Sequence, residues 1–267
     1  MTKTKLHRHV AYWACLGAAT SIGMLAATNA SAQRRIDPGV AYEDLSQVRD
    51  TRVDASVPNI SGVWSPQGYG RRIQPMDGSE TPWQDWSKEI FDRRAAAEEA
   101  GTPLFDPTAA CLPSGNPRLI ASPYPIEIIQ TPDALYMLHE THHMIRIIHM
   151  NKPMPPLGSL TPTYMGYSVG HWEDDTLVVE TAGLMRHTQV DEAGTPKSEQ
   201  MRITERIRKT SPTEMEAIFV LDDPGAFTKP WTAVRRWSQR PDIRLMEYTC
   251  EENNRNAPDD SGVLRNY

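Results

Sequence analysis

Apolar and polar residues alternate along residues 123–150, PYPIEIIQTPDALYMLHETHHMIRIIHM. The two runs are short and rich in β-branched and aromatic residues, so they predict two strands joined by a turn around Thr141 and His143 rather than helices. Similar alternation begins at residues 59–64. It returns over residues 167–181, with Glu173, Asp174 and Asp175 as the turn, and over residues 201–221, around Ser211 and Pro212. A last pair is predicted between residues 231–237 and 243–250, around Arg240, Pro241 and Asp242. One helix is predicted over residues 82–100, opened by Thr81 and Pro82 and stopped by Gly101. Its stripe of Trp83, Trp86, Ile90 and Phe91 marks it as a lid or plug on a sheet. Eight to ten short strands with hairpin spacing and one early helix predict a mainly β domain, a single antiparallel β-barrel, with a sandwich as the other antiparallel arrangement. A doubly wound sheet lacks its crossover helices here, and no 20–50-residue repeat suggests a propeller.

The ends change the picture of where the chain works. Lys3, Lys5 and Arg8, an apolar stretch over residues 10–27, and Ala30-Ser31-Ala32 follow the order of a secretory signal, with cleavage after Ala32. A retained anchor is the competing reading, because the apolar run approaches the ~18 residues a span needs. Residues 33–58 are expected to form an extended leader, residues 59–255 the barrel domain, and residues 256–267 a flexible tail. Cleavage removes three basic residues and no acidic ones, so the net charge of −6 becomes −9. That balance argues against nucleic acid as a partner and against stable membrane insertion once the signal is gone. Cys111 and Cys250 remain, and an even count in an oxidising compartment suggests one disulfide, worth about 4–5 kcal/mol for so long a loop. Two unpaired buried thiols are the alternative.

The triplet Gly62-Val63-Trp64 resembles the first strand of calycin and lipocalin barrels, where the tryptophan plugs one end. Taken together, SGVW, PYPIEIIQTP, YSVGHWEDDTLVVET, DDPGAFTKPW and RRW..RPDIRLMEY.CEENNR cover most of residues 59–255. In that order they resemble a widespread family of exported bacterial proteins. The resemblance implies a lipocalin-like barrel and brings no particular reaction with it. The histidine-rich run departs from the family, whose members more often carry Tyr, Phe or Asn there.

Four of the eight histidines lie in residues 139–149. His139, Glu140 and His143 satisfy H-E-x-x-H, and His149 follows at the spacing of a third metzincin ligand, so a zinc hydrolase is one reading. It needs a helix. On a strand, residues four apart stand ~13 Å from end to end, and Arg146 occupies the metzincin glycine position. As a hairpin, the stretch turns Leu135, Met137 and His139 one way and Tyr136, Leu138 and Glu140 the other. His139, His143 or Glu140 then serves as a base and Arg146 holds developing negative charge, while His171 or Glu205 is the second acid–base group. His171 is assigned to the lumen by its phase with Tyr167 and Val169, and Glu205 by sharing a face with Met201, Ile203 and Ile207. Glu180 could face either layer, and one of Arg235 and Arg236 must point inward. Plain solvated turn residues are the competing reading of the histidines. The expected function is an exported barrel that binds a small, mostly apolar or aromatic molecule. Cofactor-independent lyase, isomerase or dehydratase chemistry leads, with a non-catalytic carrier as the alternative.

Overall fold

The alternating stretches form nine strands: β1 (Gly62–Pro66), β2 (Ile126–Gln130), β3 (Ala134–His139), β4 (Ile145–Met150), β5 (Tyr167–Glu173), β6 (Thr176–Ala182), β7 (Arg202–Ser211), β8 (Glu214–Asp222) and β9 (Trp231–Gln239). In this computed structural model, which describes residues 55–250 apart from Phe105, they close in sequence order into one barrel. The proposed signal, nearly all of the leader and the tail lie outside the described residues, and no described helix is long and apolar enough to cross a membrane. The longest strands show why the sheet curls on itself. In β7 buried residues alternate with mostly exposed ones and in β8 with half-buried ones, so Ile203, Ile207, Met215, Phe219 and Leu221 share one interior with Trp64, Leu135, Ile148 and Leu177.

Two expectations about strand pairing need correction. β4 and β5 run parallel over only three residue pairs, so the barrel is mixed rather than wholly antiparallel. The chain must therefore return along the outside between them, through the Pro-rich residues 151–166. Residues 243–250 form no strand, because β9 pairs with β8 on one side and with β1 on the other, leaving no edge to extend. That segment is held instead by side chains and by the Cys111–Cys250 disulfide, whose Cα atoms lie 5.5 Å apart.

Strand directions give the barrel two unlike ends. One carries the short connections at residues 131–133, 174–175 and 212–213. The other gathers the long connections: residues 67–125, 140–144, 183–201 and 223–230. The helix α1 (Asp85–Glu99) belongs to this loop-rich end, and it begins three residues later than its sequence predicts. Trp83 is held out of it by an isolated bridge to Phe227, reinforced where Thr228 N–H donates to Pro82 O at 2.7 Å. Nor does α1 lie on the sheet. Ser87 is its only buried residue and donates to Ala226 O, while Trp86 Nε1 donates to Gly225 O at 2.6 Å, so the helix rests on the β8–β9 loop. Trp83 stacks on Phe91 at 5.0 Å, and Trp86 stays 40% exposed.

The short parallel seam is tightly packed. A Cβ added at Gly170 would come within 2.8 Å of Ile148 Cγ2, closer than such atoms approach. Gly170→Ala is therefore expected to lower unfolding free energy by about 1–3 kcal/mol. Adding Ile148→Val should recover part of that loss, read from urea denaturation midpoints. A strictly additive pair would show that the crowding lies elsewhere.

Candidate functional site

Five consecutive strands send polar side chains into the apolar interior. β3 supplies His139, β4 Arg146, β5 Ser168, β6 Thr181 and β7 Glu205, and all five are buried. Arg146 is the centre of the row. Its Nη1 donates to Glu205 Oε1 at 3.0 Å and its Nη2 to Glu205 Oε2, a bidentate pair with both side chains at most 2% exposed. Nε donates to Ser168 Oγ at 3.1 Å and Nη2 to Thr181 Oγ1 at 2.7 Å, while the two hydroxyls bond each other at 2.8 Å. The guanidinium therefore has its charge and most of its donors matched within the protein.

His139 is different. Its side chain is buried, yet neither ring nitrogen has a hydrogen-bond partner. Burial, with the nearby positive charge of Arg146 adding to it, draws its pKa from 6.5 to about 3, so the imidazole is neutral at neutral pH. It faces an enclosed space lined by Leu119, Ile120, Met137, Ile207, Met215 and Trp237 together with Arg146 and Glu205. The free volume there is about 10 Å³, the room of one water molecule. Ser122 and Tyr124, which follow the 3-10 turn Arg118–Ala121, also border this space. On their other side lies an open cleft of about 240 Å³, lined by Tyr69, Ser114, Arg118, His142 and Tyr248 among others.

The remaining sequence candidates do not converge on this interior. Glu140 accepts from Met246 N–H and His143 Nε2 from Tyr248 N–H, both at 2.8 Å, so these two residues moor the C-terminal segment on the outside. His149 lies outside as well, stacked on Tyr167 at 4.7 Å. H-E-x-x-H thus spans a strand end and a 3-10 turn, its histidines on opposite sides of the wall. Among the described residues no group of three or more His, Cys, Asp or Glu could hold a metal ion, and the zinc-hydrolase reading is withdrawn on that geometry. His171 is corrected too: it is exposed and contacts Glu173 at 3.2 Å. The inward phase of β5 belongs to Ser168, which Arg146 requires, and to Gly170, where the seam has no space. Glu180 faces solvent, whereas Arg235 turns inward and donates to Ser122 O at 3.0 Å.

Ser168 and Thr181 escaped sequence reasoning, although Thr181 shares its phase with Leu177 and Val179 and so was a detectable inward polar residue. Residues 118–124 escaped it as well, because a loop rich in Pro, Gly and Asn gives no period by which to place Leu119 or Ile120. No protein-family model matches the chain, and no curated protein does.

Arg146→Met or Glu205→Leu alone strands a buried charge and should cost about 3–5 kcal/mol, whereas the double variant should return to within about 1–2 kcal/mol of the parent. Equal and additive losses in denaturant titrations would contradict the pairing. His139→Leu removes two unsatisfied polar atoms and should be at least as stable as the parent at pH 7. The sign in acid is definite: the unfolded chain protonates this histidine near 6.5 and the fold only near 3, so stability held above 6.5 is lost as pH falls toward 3. By pH 5 the parent should have lost about 2 kcal/mol relative to His139→Leu.

Proposed function

We propose that the barrel binds a small, mostly apolar or aromatic molecule at its loop-rich end, with His139 as the buried polar contact. One observation carries the reading: an imidazole with two unpartnered nitrogens faces an enclosed, largely apolar space. Small-molecule sites have this composition, apolar walls with a few polar groups that fix orientation. A neutral imidazole both donates and accepts, so it suits a ligand bearing a hydroxyl or carbonyl on an apolar body. Ser122 and Tyr124 border both the enclosed space and the outer cleft, so displacement of these two residues would join the volumes and admit a ligand larger than water. The disulfide and the signal-like N-terminus support an exported carrier working outside the cytoplasm.

Turnover at the same place is the second reading, favoured because His139, Arg146 and Glu205 line one space. In that lyase or isomerase reading His139 takes a substrate proton once the ligand has displaced its surroundings. The carrier reading fits the resting geometry better, since His139 is a weak base and Glu205 already balances Arg146.

A titration with phenol, cyclohexanol and benzaldehyde tests the site, read in the parent by the ¹⁵N resonances of the His139 ring and in both proteins by the indole N–H resonance of Trp237, which lines the same space. Saturable shifts with at least one probe are expected, with binding weakened by about tenfold or more in His139→Leu, the loss of about one to two hydrogen bonds. Unmoved His139 resonances, or a variant that binds as the parent does, would contradict it.

A further inference from the structure

A second cleft, separate from the barrel interior, lies between α1 and the β6–β7 connection. Its free volume is about 430 Å³, within the usual range of small-molecule sites, and its walls include Trp86, Ile90, Arg94, Arg186, Lys197 and Glu199. What sets it apart is positive charge held without a direct ion pair. In the outer cleft beside Tyr124, Arg71 is paired with Glu98 and Glu192, and Arg118 with Asp106. Among the described residues, neither Arg94, Arg186 nor Lys197 makes an ion pair.

Their donors are also underused. Lys197 is only 3% exposed, and its ammonium spends one donor on Met185 O, leaving two. Arg94, half-buried, uses one of its five donors, on Gly194 O, while Asp106 and Asp191 lie near enough to favour its charged form without forming an ion pair. Arg186 is exposed at the mouth. Glu199 is the one carboxylate lining this cleft, with Asp223 also near enough to favour the charged form of Lys197. Holding three cations in one cleft is a distinct local choice for a chain whose net charge is −6. A buried, unpaired ammonium is costly, and burial draws Lys197 down to about 8, so an arriving anion would relieve a penalty already built into the fold. On the same walls, Trp86 is pinned by its indole N–H on Gly225 O while remaining 40% exposed, which presents an oriented aromatic surface to the cleft.

We infer that the cleft between α1 and the β6–β7 connection is a binding site for a small aromatic carboxylate, with Arg94, Arg186 and Lys197 holding the carboxylate and Trp86 and Ile90 receiving the ring. Arg and Lys donors match a carboxylate, and the indole and the isoleucine supply the apolar contact. Inorganic phosphate satisfies only the charged part.

The test uses the full chain without its signal, titrated with phenylacetate, indole-3-acetate and benzoate against the matching amides and inorganic phosphate. Calorimetry and the Trp86 indole N–H resonance give the readout. At least one carboxylate should bind saturably and shift Trp86, with its amide about tenfold weaker or more. Arg186→Ala, at an exposed position with no ion pair to lose, should weaken binding about fivefold or more, and Lys197→Met should do likewise. Glu199→Gln, which removes the carboxylate facing the anion, should tighten it about two- to fivefold. His139→Leu should leave binding unchanged, so this site stands or falls apart from the barrel interior. Failure of all three carboxylates to bind, amides or phosphate binding as tightly, or Arg186→Ala and Lys197→Met both binding like the parent would overturn the inference.

Discussion

The ion pair between Arg146 and Glu205 spans one of the three shortest strand pairings in this barrel, the parallel seam of β4 with β5. β4 and β5 meet over three residue pairs, whereas β7 and β8 pair along nearly their whole length. Across that short parallel seam Arg146 reaches Ser168 on β5, then Thr181 on β6 and Glu205 on β7. Four strands are thus tied by one guanidinium. Apolar packing alone does not specify register at such a seam, because Ile148 and its neighbours could slide by two residues and remain inside. A bidentate, fully enclosed pair tolerates no such slip: each misaligned donor would be a buried charge without a partner.

The same row explains why His139 is unusual. Every other polar member of the girdle is answered by a neighbour, and His139 sits at its end with no group in reach of either nitrogen. Its neutrality follows from burial and from the cation beside it. The fold therefore keeps a hydrogen-bonding group in reserve within an apolar enclosure, at the end where the long loops gather. Glu140 and His143, its neighbours in sequence, are drawn outward by the 3-10 turn and hold the C-terminal segment, which the disulfide fixes at Cys250. The five residues from His139 to His143 thus serve both the lumen and the outer wall.

Period-two alternation made most of this fold legible in the sequence: the hairpins of β3 with β4, β5 with β6 and β7 with β8, the opposite facing of His139 and Glu140, and the inward turn of Glu205, while the even cysteine count pointed to the disulfide. The parallel seam was not legible, because residues 151–166 carry only a three-residue 3-10 turn, Leu157–Ser159, and no α-helix to signal a crossover. The phase of β5 misled because Val169 is buried on the outward side beneath other structure, which makes the wrong face look like the core. Residues 243–250 carry strand-like alternation, but strand formation needs a free edge, and closure of β9 onto β1 removes it. At the site, charge and phase identified Glu205 and Arg146, while their mutual pairing and the lining from residues 118–124 depend on tertiary placement that no local pattern encodes.

Native mass spectrometry of the protein and of its His139→Leu variant, each incubated with small molecules extracted from its source cells, most directly tests the view that the barrel interior is a ligand site. The account predicts an adduct of small organic mass on the parent, released on denaturation and absent from the equally folded variant. The same adduct on both proteins, or the bare polypeptide mass for both, would contradict it.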